Sequence, residues 1–373
     1  GMDSSREPAV AVIIPCHDYA RFLPDAVESA VAQSHPALEI VVVDDGSRDE
    51  TAALAARLAA RYTEREIRVV RQENRGLAAA RNAGIAAARA PLLLPLDADD
   101  ALHPHAASRL AALFQADPGL SVAYPFGREV GDGSALMTTG EALLAVERRT
   151  NVLYYASMFT RTAWEAAGGY NPNMVHGYED WDFWLGLLER GARFARLPEV
   201  GFYYRKHGAT MLSRADKNRL WLRCRLTANH PALYAPDLLK SAEAYLGLGQ
   251  APAPPALLAR LLRCLAEERL YLDALPCAEA LLEERALRDS GLDPAPLHFL
   301  RGVGLLAARR PGEALAQLRE AVRLQPWNPR FIAALADAFE GAGRIEEAQA
   351  CREDAAEAAP DSLKPMPWAV PIS

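Results

Sequence analysis

Long apolar runs are lacking in this chain. Every apolar stretch is far shorter than the about 20 residues that cross a bilayer, so we predict no transmembrane helix. Residues 2–8 are polar, which argues against a secretory signal peptide. We therefore expect a cytoplasmic protein that is at most peripheral to the inner face of the membrane.

Clustered cysteines and an excess of basic residues are also missing. The five cysteines are scattered without metal-ligand spacing, which is typical of reduced thiols. Lys and Arg number 41 against 48 Asp and Glu, a net charge of −7. This balance argues against nucleic acid as a partner, because binding to a phosphate backbone depends on clustered basic residues.

The N-terminal third alternates strand and helix patterns. Apolar runs separated by helical periodicity occur at residues 10–14, 40–43, 67–70, 92–96 and 121–124. Such a pattern predicts an α/β fold with a mostly parallel, Rossmann-like sheet covered on both faces. We expect helices near 23–33, 103–115 and 179–189.

Polar residues follow three of these strands. Cys16 and His17 follow the first, Asp45 follows the second, and the cluster Asp97-Ala98-Asp99-Asp100 follows the fourth. Because ligands bind beyond the carboxyl ends of such strands, these groups are predicted to share one edge. Crowded carboxylates are tolerable beside a divalent cation, which points to a phosphate-bearing substrate.

The C-terminal third contains a repeat. Ala280, Ala314 and Ala348 lie 34 residues apart (314 − 280 and 348 − 314), as do Pro326 and Pro360. Two helices per 34 residues resemble tetratricopeptide repeats, in units near 256–290, 294–327 and 328–360. An unrelated bundle of Ala- and Leu-rich helices is the alternative. We predict four segments: a domain at 1–235, a proline-rich linker at 236–255, repeats at 256–360 and an irregular tail at 361–373.

Four N-terminal motifs resemble those of family 2 glycosyltransferases with the GT-A fold, in order and spacing over residues 9 to 230. They are Val12-Ile13-Ile14-Pro15, Val43-Asp44-Asp45-Gly46-Ser47, Asn74-Arg75-Gly76-Leu77 and Leu96-Asp97-Ala98-Asp99-Asp100. The resemblance implies inverting, hexosyltransferase-type transfer from a nucleoside diphosphate sugar, first of all a UDP-sugar, with Mn²⁺ or Mg²⁺. The resemblance also implies that the acceptor is a hydroxyl group of a glycan, a lipid-linked sugar or a protein.

For the nucleotide, the resemblance implies that Asp45 contacts the base or ribose, and that Pro15, Cys16 and His17 wall the base pocket. The residue type fits, since a carboxylate accepts hydrogen bonds from a uracil ring N–H or from ribose hydroxyls. Ser47 and Glu50 have the spacing of a capping box for the next helix.

For the diphosphate, the resemblance makes Asp99 the metal ligand, with Asp97 beside the ribose or the metal's water and Asp100 nearby. An N-cap for the following helix is the alternative role of Asp100. Arg81 is expected to reach the donor phosphates, or to form a surface salt bridge instead.

The pair Glu179-Asp180 matches the family's Glu-Asp pair, which makes Asp180 the catalytic base. A helix start keeps a carboxylate ionised, whereas burial by Trp181 and Trp184 raises its affinity for protons. The alternative is a helix-start carboxylate without chemistry. His207 matches a position that can complete the metal site, or is an ordinary loop histidine.

Further expectations concern the partners and the alternative functions. The repeats are predicted to offer a concave face to a protein partner. The basic stretch containing Lys217, Arg219 and Arg223 either packs on the protein or touches an anionic membrane. The rival functions are a catalytically degenerate GT-A protein serving as a repeat scaffold, and a nucleotidyltransferase. The latter usually carries a glycine-rich basic loop after strand one, which residues 16–20 lack.

Overall fold

The computed structural model describes residues 7–208 and 217–358. It divides into two compact units after Lys217. The predicted tail at 361–373 and the first residues of the basic stretch lie outside the described residues. No helix of the described chain is both long enough and apolar enough to cross a membrane.

The first unit is built on a nine-stranded mixed sheet. Its strands are β1 Val10–Cys16, β2 Leu38–Asp45, β3 Glu66–Gln72, β4 Leu92–Pro95, β5 Ala101–Leu102, β6 Val122–Gly131, β7 Leu136–Met137, β8 Met158–Thr160 and β9 Phe194–Lys206.

The sheet order is β3-β2-β1-β4-β8-β6-β9-β5, and β7 pairs with β6. The first four strands are parallel neighbours, as the apolar runs predict. β1, β2 and β4 are almost wholly buried, which explains their unbroken apolar sequence. The fifth predicted run begins β6, which does not lie beside β4. β8, antiparallel to both, separates them. The sheet is therefore mixed beyond β4.

Seven described helices complete this unit. They are α1 Leu23–Val31, α2 Thr51–Arg61, α3 Leu77–Ala87, α4 Ala106–Ala116, α5 Leu144–Glu147, α6 Arg161–Ala167 and α7 Glu179–Glu189.

Helix α3 lies close to the sheet because Gly84 has no side chain. A Cβ there would lie 2.6 Å from Cγ2 of Ile13 and 2.9 Å from Cγ2 of Val43. The predicted capping box before α2 is wrong. The helix begins at Thr51, and Glu50, the residue before it, makes no capping hydrogen bond with its side chain. Ser47 Oγ instead accepts from the backbone N–H of Asp18.

The second unit is helical. Its helices are α8 Arg219–Asn229, α9 Pro236–Gly247, α10 Pro255–Glu267, α11 Tyr271–Leu281, α12 Glu284–Ser290, α13 Pro294–Ala307, α14 Pro311–Leu324, α15 Pro329–Gly341 and α16 Ile345–Ala358. The three predicted repeat units contain the helix pairs α10/α11, α13/α14 and α15/α16, except that α10 begins one residue before its unit.

The segment predicted as a linker contains helix α9, so that part of the prediction needs correction. Its apolar residues Leu238 and Ala242, spaced for one helix face, join the core of the second unit. Arg223 of α8 is also buried there and donates from Nε to Oδ2 of Asp273 at 2.8 Å. This residue of the basic stretch therefore packs inside the protein.

Candidate active site

The carboxyl ends of β1, β2 and β4 lie on the same edge, because the three strands are parallel neighbours. Cys16 and Pro15 at the end of β1 are buried, whereas His17 is exposed. Burial raises the pKa of Cys16 to about 12, so its thiol stays protonated. Of the three residues predicted to wall the base pocket, His17 is therefore the exposed one. Its Nδ1 lies 2.8 Å from the backbone oxygen of Asp45.

Asp45 organises the loop after β3. Its Oδ1 accepts from Gln72 Nε2 at 2.8 Å and from the backbone N–H of Arg75 at 2.9 Å, and Oδ2 accepts from Gly76 N–H at 3.0 Å. Gly46, with φ of +70°, permits this approach, since a Cβ there would lie 2.5 Å from the backbone nitrogen of Asn74. The carboxylate thus fixes the loop at the predicted nucleotide-binding edge.

The aspartates after β4 form a compact cluster. Asp97, Asp99 and Asp100 each offer a carboxylate oxygen, and these atoms lie within 4.8 Å of one another. Burial is the main reason that the pKa of Asp97 is raised to about 6, with Arg81 lowering it and the charge of Asp99 raising it. Burial and the neighbouring aspartates also raise the pKa of Asp100. Both shifts are thus due first to burial and then to the neighbouring negative charges.

Asp100 is not an N-cap. Its Oδ1 accepts from the backbone N–H of Arg205 at 2.9 Å, and its Oδ2 accepts from the hydroxyl of Tyr155. Helix α4 begins only at Ala106. Tyr155 also accepts from the backbone N–H of Asp97 at 3.0 Å. Tyr155 and Arg205 therefore hold the cluster in shape.

His207 joins the cluster from the end of the long strand β9. Its Nε2 lies 2.9 Å from Oδ2 of Asp99. The ring is packed against Tyr19 and Phe22, with centroids 5.8 and 4.7 Å away. Carboxylate oxygens with one imidazole nitrogen suit Mn²⁺ or Mg²⁺, and imidazole favours Mn²⁺. The residues present thus fit a divalent cation.

Arg81 connects this cluster to α7. It is 1% exposed, with Nη2 donating to Asp97 Oδ1 at 2.8 Å and Nη1 donating to Glu179 Oε1 at 2.6 Å. The alternative of a surface salt bridge is therefore wrong, since the Arg81 side chain is buried. Burial acts to lower the pKa of Arg81, but the charges of Asp97 and Glu179 raise it well above its usual value.

Helix α7 begins at the predicted residue, Glu179, after Tyr178 in a left-handed conformation with φ of 58°. Burial, and then the charge of Glu179, raise the pKa of Asp180 to about 6, while Arg81 lowers it. Desolvation thus outweighs the helix start in setting this pKa. Trp181 and Trp184 are buried, as expected of core residues.

Two residues near Asp180 escaped sequence reasoning. Asn151 donates from Nδ2 to Oδ2 of Asp180 at 3.3 Å. Glu147 is 0% exposed, and the negative charge of Asp180 acts on it. Both lie in a segment with no recognised motif, so only the fold reveals them.

Two parts of the chain match models of known protein families. Residues 11–165 match the family model "Glycosyl transferase family 2", and residues 305–364 match "Tetratricopeptide repeat". The N-terminal region of the chain therefore resembles the family 2 glycosyltransferases. The resemblance drawn from the four motifs and the one drawn from the 34-residue period are both confirmed.

Relatives share the glycosyltransferase region. The chain is 44% identical over 230 residues to the succinoglycan biosynthesis protein ExoU of Rhizobium meliloti, covering 54% of this chain and 63% of ExoU. It is 28% identical to the chondroitin synthase of Escherichia coli, covering 57% of this chain and 31% of that protein. The chain thus spans less than two thirds of each of these relatives.

A solved structure confirms the fold. The mannosyltransferase PcManGT from Pyrobaculum calidifontis, in complex with GDP-Man and Mn²⁺, superposes with a TM-score of 0.51 at 21% identity. The likeness covers 92% of this chain and 88% of that one. The predicted architecture, a GT-A-like domain followed by helices, is therefore confirmed.

Proposed function

We propose that this protein transfers a hexosyl group, with inversion, from a nucleoside diphosphate sugar to a hydroxyl acceptor. The observation that carries the proposal is the connection through Arg81 between the aspartate cluster and the helix bearing Asp180. A donor-binding group and a candidate base are thereby fixed relative to each other. Such fixed orientation lowers the entropic barrier to reaction.

At the donor end, Asp99 and His207 are proposed as metal ligands, with Asp97 and Asp100 beside them. These residues would hold Mn²⁺ or Mg²⁺, which would supply positive charge to the leaving nucleoside diphosphate. GDP-Man and Mn²⁺ in PcManGT support a nucleotide sugar with a metal as the donor complex. We propose His17, Asp45 and the loop that Asp45 fixes as the nucleotide contacts, and a UDP-sugar as the first donor to test.

At the acceptor end, Asp180 is proposed as the base. The acceptor oxygen attacks the anomeric carbon as its proton passes to a carboxylate oxygen of Asp180. The bond from that carbon to the diphosphate oxygen breaks, and its electron pair leaves with the nucleotide. Attack opposite the leaving group inverts the anomeric configuration. The pKa of about 6 suits this role, because the carboxylate is ionised at pH 7 and more basic than an ordinary aspartate.

The repeats are proposed to bind a protein partner or the acceptor. Stacked tetratricopeptide units form extended concave surfaces, which supports recognition of a peptide or protein. The functional division between residues 1–235 and 256–360, and a cytoplasmic location, remain predictions.

The test is donor binding and product identity. We expect calorimetry with Mn²⁺ to show binding of at least one of UDP-glucose, UDP-GlcNAc and GDP-mannose. Slow turnover with water as acceptor should release nucleoside diphosphate. Release of pyrophosphate would indicate a nucleotidyltransferase. Failure of every donor to bind would support the degenerate scaffold and contradict the proposal.

A further inference from the structure

A buried carboxyl group outside every recognised motif is connected to the proposed base through a short loop. Glu147 is the last residue of the short helix α5, and the negative charge of Asp180 acts on its carboxyl group. Buried carboxyls are normally paired with a cation or fully hydrogen-bonded. Oε1 of Glu147 finds no hydrogen-bond partner within the described chain.

The rest of Glu147 closes a small loop. Its Oε2 accepts the backbone N–H of Val152 at 3.0 Å, which joins the two ends of the segment between them. Asn151 lies in that loop and donates to Asp180. The backbone oxygen of Glu147 accepts from the indole Nε1 of Trp181 at 2.6 Å. The side chain of Glu147 thus holds the loop that reaches Asp180, and its backbone oxygen holds Trp181, the residue that follows Asp180.

We propose that Glu147, in its protonated form, is a positioning residue that holds Asn151 and helix α7 so that Asp180 is aligned for proton abstraction. This inference rests on the proposed function of Asp180. A protonated carboxyl can accept from Val152 without placing a second negative charge beside the base. An ionised one would repel Asp180 inside an enclosed site, where such repulsion is strong.

The pKa values of Glu147 and Asp180 fit a neutral positioning residue and an ionised base. Burial raises the pKa of Glu147 to about 8, with the Val152 N–H lowering it and the charge of Asp180 raising it. Asp180 titrates near 6, so between these values one carboxyl is ionised and the other is neutral. Tyr124 of β6 also interacts electrostatically with Glu147, but burial raises the pKa of Tyr124 above that of an ordinary tyrosine. Tyr124 therefore stays neutral where Glu147 titrates.

Hydrogen exchange tests the loop without any substrate. Glu147→Ala removes the acceptor of the Val152 amide, so exchange in a peptide spanning residues 147–153 should accelerate. Glu147→Gln keeps a side-chain oxygen that accepts from Val152, so it should restore protection. Glu141→Ala is the matched control, because Glu141 is exposed in the same segment. Equal exchange in the wild type and in Glu147→Ala would overturn the inference.

Turnover tests the positioning role. We expect Glu147→Ala to lower kcat at least about tenfold, or about 1.4 kcal/mol, with little change in donor KM. Glu147→Gln should recover part of the loss, and its rate should lack the decline above pH 8 expected of the wild type. An unchanged kcat in Glu147→Ala, or an unchanged alkaline decline in Glu147→Gln, would contradict the proposal. Donor binding by the wild type shows separately whether the transferase proposal holds.

Discussion

Nη1 of Arg81 lies 2.6 Å from Oε1 of Glu179, in an ion pair between α3 and α7 that bridges 98 residues of sequence. The same guanidinium holds Asp97, so one buried cation balances a carboxylate from each half of the site. Arginine suits this place because its planar fork can address two carboxylates in fixed directions.

Removal of the Arg81 guanidinium should destabilise the first unit. Arg81→Ala leaves two enclosed carboxylates without their partner, and breaking such a buried pair costs about 3–5 kcal/mol. Chemical denaturation should show this loss, with Arg81→Lys intermediate. Arg89, whose side chain is 67% exposed beside Glu66, provides the control, because a surface pair contributes about 0–1 kcal/mol. Equal losses for Arg81→Ala and Arg89→Ala would refute the structural importance of this bridge.

Asp99 should be needed for metal-dependent donor binding. Asp99→Ala removes the carboxylate that contacts His207, and we expect the affinity for UDP in the presence of Mn²⁺ to fall at least about tenfold. Calorimetric titrations with and without Mn²⁺ measure the effect. Asp132→Ala, at an exposed position outside the cluster, should bind as the wild type does. Loss of the Mn²⁺ dependence in both variants, or in neither, would count against a metal site at Asp99.

The parallel half of the sheet was predictable, because each buried strand is a continuous apolar run and a helical pattern follows it. The rest depends on long-range pairing. β8 has only three residues and inserts between β4 and β6, and no local pattern marks such an insertion. The same limit applies to the second unit. Its 34-residue period revealed the repeats, whereas α9 was missed because the nearby prolines favoured a linker.

Site residues divide in the same way. Asp99 and Asp180 stand in recognisable motifs at predictable ends of elements. Tyr155 and Glu147 act through contacts that only the folded chain creates, so composition and spacing gave no signal for them. Arg81 was recognised, but its burial was not, because an arginine on a helix is usually exposed.

The pH dependence of transfer should report Asp180. Its raised pKa of about 6 means that the ionised, active base predominates above pH 6 and is lost below it. We expect kcat to fall about tenfold for each pH unit below that value. Asp180→Asn should lower kcat by about 10²–10⁴ and retain donor binding. A variant with wild-type turnover, or a rate independent of pH between 5 and 7, would exclude Asp180 as the base.

Close helix packing in the repeats gives a test that is independent of chemistry. A Cβ at Gly304 in α13 would lie 2.9 Å from the backbone oxygen of Tyr271 and 3.0 Å from Cβ of Leu275. Overpacking costs about 1–3 kcal/mol, and the gain in helix propensity is at most about 1 kcal/mol. Because the Cβ would meet backbone and Cβ atoms, which cannot easily move aside, Gly304→Ala should destabilise the second unit. A Cβ at Gly312 in α14 would have open space around it, so Gly312→Ala should be neutral or stabilising. Thermal denaturation followed by circular dichroism should separate the two variants, and shifts of the same sign and size would contradict the packing of α13 on α11.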